Sequence, residues 1–191
     1  MARTKEFERE YALERAMNIF WERGYEATSM ADLLEAMGIG RQSMYDTFGD
    51  KRALFIEALE RYIDQRQDEY SCMVSAPSVK GAIRGMFEAL LSESPKEKRR
   101  GCFGILTTLE LAPHDPGIAK LMQARQRILE DVMAEALTRA QKTKELGKEK
   151  DPRALARFLL ATFSGLRVAA TTDPHNPGHR DIVELALKSL D

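Results

Sequence analysis

Residues 24–51 read GYEATSMADLLEAMGIGRQSMYDTFGDK, and the architecture follows from how this stretch is punctuated. Gly24 sits where a left-handed residue ends a helix, and Thr28 or Ser29 then offers a side-chain oxygen to the open amides of the next one. Asp32, three residues after Ser29, takes the acidic position of a capping box. Met30, Leu33, Leu34 and Met37 recur at helical spacing, so this second helix is short and amphipathic. Gly38-Ile39-Gly40 leaves room only for a sharp turn. A third helix from about Arg41 to Thr47 follows, with Met44 and Phe48 one turn apart and Gly49 at its end.

Two short capped helices around a glycine turn form a shape that fits the major groove of DNA, the first crossing the backbone and the second entering. With Met44 and Phe48 turned inward, Arg41, Gln42, Ser43, Asp46 and Thr47 project from the other faces. Arg pairs bidentately with guanine and Gln with adenine, while Ser and Thr accept several bases. Thr28, Tyr45 and Lys51 are the expected phosphate contacts, Ser29 is a further DNA-binding candidate, and Arg41, Gln42, Ser43 and Thr47 are the groove-facing ones. Asp46 is out of place beside phosphates unless it accepts from a cytosine amino group or pairs with Arg41.

Outward from this segment the 3.6-residue period continues, with no sustained alternation of apolar and polar residues, so the fold class is all-α with about nine helices. A first helix from about Lys5 to Arg23 turns Phe7, Tyr11, Ala12, Ala16, Ile19 and Phe20 to one face. Asp50 caps a fourth from about Lys51 to Tyr70, with Leu54, Phe55, Ala58, Leu59, Tyr62 and Ile63 inward. A fifth runs from beyond Pro77 to about Glu93, a basic loop covers Ser94 to Arg100, and a sixth spans about Gly101 to Leu111. Asp115-Pro116 and Asp151-Pro152 each pair a capping acid with a proline at the first helical position, opening helices to about Lys142 and Thr171. A ninth runs from about His179 to Leu190. The expected division is a DNA-binding domain at residues 1–50 and a ligand-binding and dimerisation domain at residues 51–191.

The whole chain carries 29 basic and 30 acidic residues for a net charge of −1, so no global basic character announces nucleic acid; any such contact is local. Met1 to Glu10 hold no apolar core of a secretory leader, and the apolar run Phe158 to Leu166 stops at Arg167, short of the ~20 residues a bilayer requires. The expectation is a soluble cytoplasmic protein without a membrane partner. Cys72 and Cys102 are too few for a disulfide framework and read as small buried hydrophobes. No Walker loop, nucleophile elbow, zinc-protease pair or dinucleotide turn occurs, and His114, His175 and His179 fall beside prolines as solvated loop residues. No enzyme, cofactor or metal site is expected.

The run Gly24 to Met30, then Leu33, Ala36, Gly38-Ile39, Ser43-Met44-Tyr45, Phe48 and Lys51 to Phe55, resembles the TetR family of transcriptional regulators over about the first 55 residues. Beyond that point the likeness lies in helix number, length and order. The resemblance implies a repressor that binds a palindromic operator in double-stranded DNA as a homodimer and is released by a small-molecule effector. It places base reading at Arg41, Gln42 and Ser43, phosphate contacts at Thr28, Tyr45 and Lys51, and dimerisation in the helices near 151–172 and 178–190. Leu155, Phe158, Leu159, Phe163, Leu166 and Ala169, with Ile182, Val183, Ala186 and Leu190, exceed what a lone terminal hairpin covers.

An apolar or aromatic effector site is suggested by Met86, Phe87, Phe103, Leu106, Met122 and Phe163 among Thr107, Glu110, Arg125 and Arg167, although the same residues suit a plain core. Glu110 with Arg167 also reads as a structural ion pair. Cys102, after Arg99, Arg100 and Gly101 at a helix start, is a further ligand-site candidate; the alternative function is a redox or electrophile sensor acting through this thiol.

Overall fold

Helix boundaries fall where short-range chemistry puts them. The computed structural model describes the backbone of residues 2–191 and the side chains of residues 9–66 and 75–191; Phe7 and Cys72 lie outside the described side chains. Among the described residues there are ten helices and no strand: α1 (Ala2–Arg23), α2 (Met30–Met37), α3 (Arg41–Phe48), α4 (Lys51–Ser75), α5 (Val79–Ser92), α6 (Pro95–Arg100), α7 (Phe103–Leu111), α8 (Pro116–Lys142), α9 (Pro152–Thr172) and α10 (Gly178–Lys188).

The additional element is α6, which replaces the expected basic loop. Its charges conceal a complete start signal: Ser94 and Glu97 form a capping box around Pro95, and Lys98, Arg99 and Arg100 fill the last turn, where the helix dipole favours cations. Two of the anticipated acid caps are in place. Asp50 accepts from the Ala53 amide at 2.7 Å, and Asp151 accepts from the amides of Arg153 and Ala154 at 2.9 and 3.2 Å.

The chain forms two packing units, one of residues 1–66 with 103–116 and one of residues 67–102 with 117–191. The first is organised around aromatic rings. Phe20, Phe55 and Phe103 are buried, and Phe55 meets Phe20, Tyr25 and Phe103 edge-on at 5.0, 4.9 and 5.6 Å between ring centroids. Trp21 and Tyr62 close the cluster at 4.9 Å. Edge-to-face pairs of this kind add to plain area burial, so the head is held by oriented contacts. One expected core member is corrected: Tyr11 is exposed, because it falls on the solvent side of α1 beside the buried pair Ala12 and Leu13.

In the second unit Val79, Ile83, Phe87 and Leu90 of α5 pack with Leu137, Leu159, Leu166, Val183 and Leu190 in one core. The helix α6 lies against α9, and α10 against α5 and α9. Lys98 fastens α6 by donating to the carbonyls of Leu91 and Pro174 at 2.7 and 3.4 Å. A carboxylate from the loop after α8 secures the start of α5: Glu145 accepts from the Val79 and Lys80 amides at 3.0 and 2.9 Å and from the Ser78 hydroxyl. Burial pushes the Glu145 carboxyl up, but these hydrogen bonds outweigh it and hold the group below its ordinary value. His179 departs from expectation: it is buried at the start of α10 rather than solvated in a loop.

Candidate nucleic-acid interface

A short helix becomes a recognition element only if its neighbours fix its angle, and here the fixing begins with Ser29. Its hydroxyl accepts from the Asp32 amide at 3.1 Å while the Asp32 carboxylate accepts from the Ser29 amide at 2.9 Å, completing the capping box. The Ser29 hydroxyl also donates to the Asp32 carboxylate at 2.6 Å, and this bond first, then that of the Ser29 amide, holds the Asp32 carboxyl below its ordinary value of 3.8. Two arginines of α1 then grip α2 at both ends. Arg23 donates to Asp32 at 2.6 Å, and Arg15 donates to the Ala36 carbonyl at 3.0 Å. Gly38, at φ +69°, returns its amide to the Leu34 carbonyl and releases the chain toward α3.

On α3, Met44 and Phe48 are buried, while Arg41, Gln42, Ser43, Tyr45, Asp46 and Thr47 are exposed. Phe48 is also covered by the Arg9 guanidinium, 5.0 Å from the ring centre, and Arg9 pairs with Glu57 of α4 at 2.6 Å. The recognition helix is thus locked through its inner side chains. Of the two alternatives for Asp46, a cytosine amino group or Arg41, neither partner is what it meets within α3: the Gln42 side-chain amide donates to Asp46 at 2.8 Å across one turn.

Other expected contacts are placed less directly. Thr28 is fully buried and its hydroxyl donates to the Gly24 carbonyl at 2.6 Å, so it braces the turn from inside and presents nothing to a phosphate in this conformation. Ser29 is exposed, but its hydroxyl is committed to Asp32. The Lys51 ammonium lies 4.3 Å from the centre of the Tyr25 ring, a cation–π contact at the mouth of α4. Burial, with the nearby Glu26 and Asp50 carboxylates, raises the Tyr25 phenol above 10.0 and keeps that ring neutral.

One bracing residue came from an unexpected place. Glu110 of α7, assigned by sequence to an effector site, accepts from the amides of Tyr25 and Glu26 at 3.1 and 2.9 Å. Gly24, at φ +81°, allows this approach: a Cβ there would stand 2.9 Å from one Glu110 carboxylate oxygen. At the far end of the same segment Asp115 accepts twice from Arg52, at 3.1 and 2.9 Å. No local pattern could reveal these partners, which lie 85 and 63 residues away in the chain.

The remaining effector candidates are divided. Phe103, Leu106, Thr107 and Glu110 belong to the first unit; Met86, Phe87, Cys102, Met122, Arg125, Phe163 and Arg167 belong to the second. Phe87 and Phe163 meet edge-on at 5.5 Å with Met86 packed nearby. The expected ion pair of Arg167 with Glu110 is corrected, since the Arg167 guanidinium is buried and donates to Glu93 at 2.5 and 3.1 Å. Cys102 is half-buried directly before α7. Among the described residues no cluster of three metal-ligating side chains occurs.

Residues 12–58 match the family model described as bacterial regulatory proteins of the tetR family, and residues 80–191 match that of the BetI-type transcriptional repressor C-terminal region. The chain is 38% identical, over the full length of both proteins, to the HTH-type transcriptional regulator YezE of Bacillus subtilis. It is 34% identical to the HTH-type transcriptional repressor ComR of Escherichia coli, covering 88% of this chain and 81% of the relative. Among solved structures it resembles a cysteine mutant of the TetR family regulator CifR complexed with 26-base-pair double-strand operator DNA, at 31% identity and a TM-score of 0.81 over 95% of this chain and 96% of that one.

Proposed function

Since the chain belongs to the TetR family of transcriptional regulators, we propose that it acts as a repressor: its homodimer occupies a palindromic operator and leaves it when a small effector binds. The observation that carries this reading is the burial of Met44 and Phe48 with every intervening side chain of α3 exposed, behind an α2 clamped by Arg15 and Arg23. Residues 1–50 serve as the DNA-binding domain and residues 51–191 as the ligand-binding and dimerisation domain. The expected lodging of such a protein is the cytoplasm, where its operator lies.

A second copy has a surface waiting for it. The open side of α9 carries Ala154, Phe158, Ala161, Gly165, Val168 and Thr172, spaced alternately four and three residues apart, and α10 adds Ile182 and Leu185. That spacing is the seam of a helical bundle. It also explains why α9 is long and apolar enough to cross a membrane by length and composition while being only 33% buried within one chain. Several residues expected at this interface, Leu159, Leu166, Val183, Ala186 and Leu190, instead fill the chain's own core. A dimer that reads a palindrome presents its two copies of α3 about 34 Å apart, one turn of DNA. For the effector, Met86, Phe87, Phe163 and Arg167 of the second unit are the favoured contacts, a mostly aromatic wall beside one cation.

The test is binding of the purified protein to genomic fragments, followed by the double variant Tyr45→Phe with Lys51→Ala. The parent should select a palindrome, and the variant should lose about tenfold or more in affinity, with a salt dependence shallower by about one counterion per subunit. Full, equally salt-sensitive binding by the variant would sink the assignment.

A further inference from the structure

The polar face of α3 has a centre, and it is not the arginine. At 3.6 residues per turn, measured from the direction between Met44 and Phe48, Arg41 lies about 40° away, Tyr45 and Thr47 about 80°, Ser43 about 120°, Gln42 about 140° and Asp46 about 180°. Asp46 therefore points straight away from the buried side of the recognition helix, with Gln42 beside it. It stands there against two local preferences. An acid in the last turn of a helix faces the negative end of the dipole, and an acid on a DNA-facing surface is repelled by phosphates. Gln42 is the single partner that the neighbouring side chains of α3 supply. Residues that break local rules in this way mark function more often than stability.

We propose that Asp46 is a specificity-determining residue: it reads the exocyclic amino group of a cytosine in the major groove and, through its hydrogen bond with Gln42, presents that amide to a neighbouring adenine. This rests on the repressor reading above. A carboxylate only accepts, so it is excluded from the guanine edge, whose N7 and O6 are both acceptors, and from the thymine O4. Adenine offers an amino group beside the acceptor N7, whereas cytosine offers its amino group with no acceptor next to it on the same base. Cytosine is the better match.

The contact between Gln42 and Asp46 also fixes which way the glutamine faces. An amide oxygen turned to a carboxylate is repelled, so the nitrogen takes that side, as the 2.8 Å Nε2 to Oδ1 distance records. Adenine reading requires that the amide hydrogen trans to the carbonyl be the one given to Asp46. The carbonyl oxygen and the other amide hydrogen remain as a coplanar pair, which is the pattern that matches adenine N6 and N7. One acid thus reads one base directly and orients the reader of another.

The experiment is site selection from randomised duplex DNA with the full-length protein, its Asp46→Ala and its Asp46→Asn variants, followed by affinity for the selected site and for unrelated DNA at several salt concentrations. The parent should return a cytosine near an adenine in each half-site. Asp46→Ala should lower discrimination at the cytosine by about tenfold or more while raising affinity for unrelated DNA, because a charge opposed to phosphate has gone. Asp46→Asn should shift the preference at that position from cytosine toward adenine. Asp46 is exposed, so thermal melting should confirm that both variants fold like the parent. A parent that selects a motif which both variants keep, with the same discrimination, overturns this role for Asp46 and leaves the repressor reading intact. A parent that prefers no sequence overturns both.

Discussion

Gly24 shows how much can depend on one missing side chain. Its φ of +81° is costly for any other residue, and the Glu110 carboxylate occupies the space a methyl group would need. Gly24→Ala should destabilise the protein by about 1–3 kcal/mol in denaturant melts. In a Glu110→Ala background the steric share should vanish and only the backbone share remain, so the two changes should fail to add. Strict additivity would mean that the carboxylate and the turn are not coupled. Gly24 was legible in sequence as a helix stop, but Glu110 was read as an effector contact, since its partners are backbone amides that carry no side-chain signature.

Among the elements, α2 depends most on charge. The Asp32 carboxyl has its proton affinity lowered in the folded state by Ser29 and Arg23, so the unfolded chain binds more protons below the ordinary value of 3.8. The stability this group contributes is present above that value and is lost as pH falls through the lower, folded one. Asp32→Asn should therefore flatten the acid side of a plot of melting temperature against pH; an unchanged acid limb would show that the capping box is not coupled to folding. The junction of α5 and α9 behaves differently. Arg167 is buried and Glu93 is its carboxylate partner, so Glu93→Ala strands a cation and should cost about 3 kcal/mol, whereas Arg167→Met should cost less. Equal losses would mean that packing, not charge, dominates there. At this scale most of the architecture was readable because caps and prolines are local signals; α6 escaped because its capping box was hidden in a run of charge.

For the whole molecule the decisive surface is the one left uncovered. Phe158 and Leu185 are 47% and 66% exposed on adjacent helices, an apolar area that a second copy can bury. Phe158→Asp with Leu185→Asp should sediment as a monomer and bind a palindrome roughly a hundredfold more weakly, since each head then binds alone. A variant that remains dimeric would move the interface elsewhere. Of the apolar residues expected there, Phe158 and Ile182 are open whereas Leu159, Leu166, Val183, Ala186 and Leu190 fill the chain's own core: periodicity identifies an apolar face without telling which neighbour covers it.

By itself the sequence determined that the chain is helical, where nearly every helix begins and ends, and that Met44 and Phe48 turn α3 so that its polar side chains face out. These follow from forces acting within one or two turns, which a linear pattern records. Only the tertiary structure decided that Glu110 and Asp115 brace the head, that Arg167 belongs to Glu93, and which apolar side chains stay open for a partner. Those pairings join residues far apart in the chain, and their choice rests on packing geometry that no local spacing encodes.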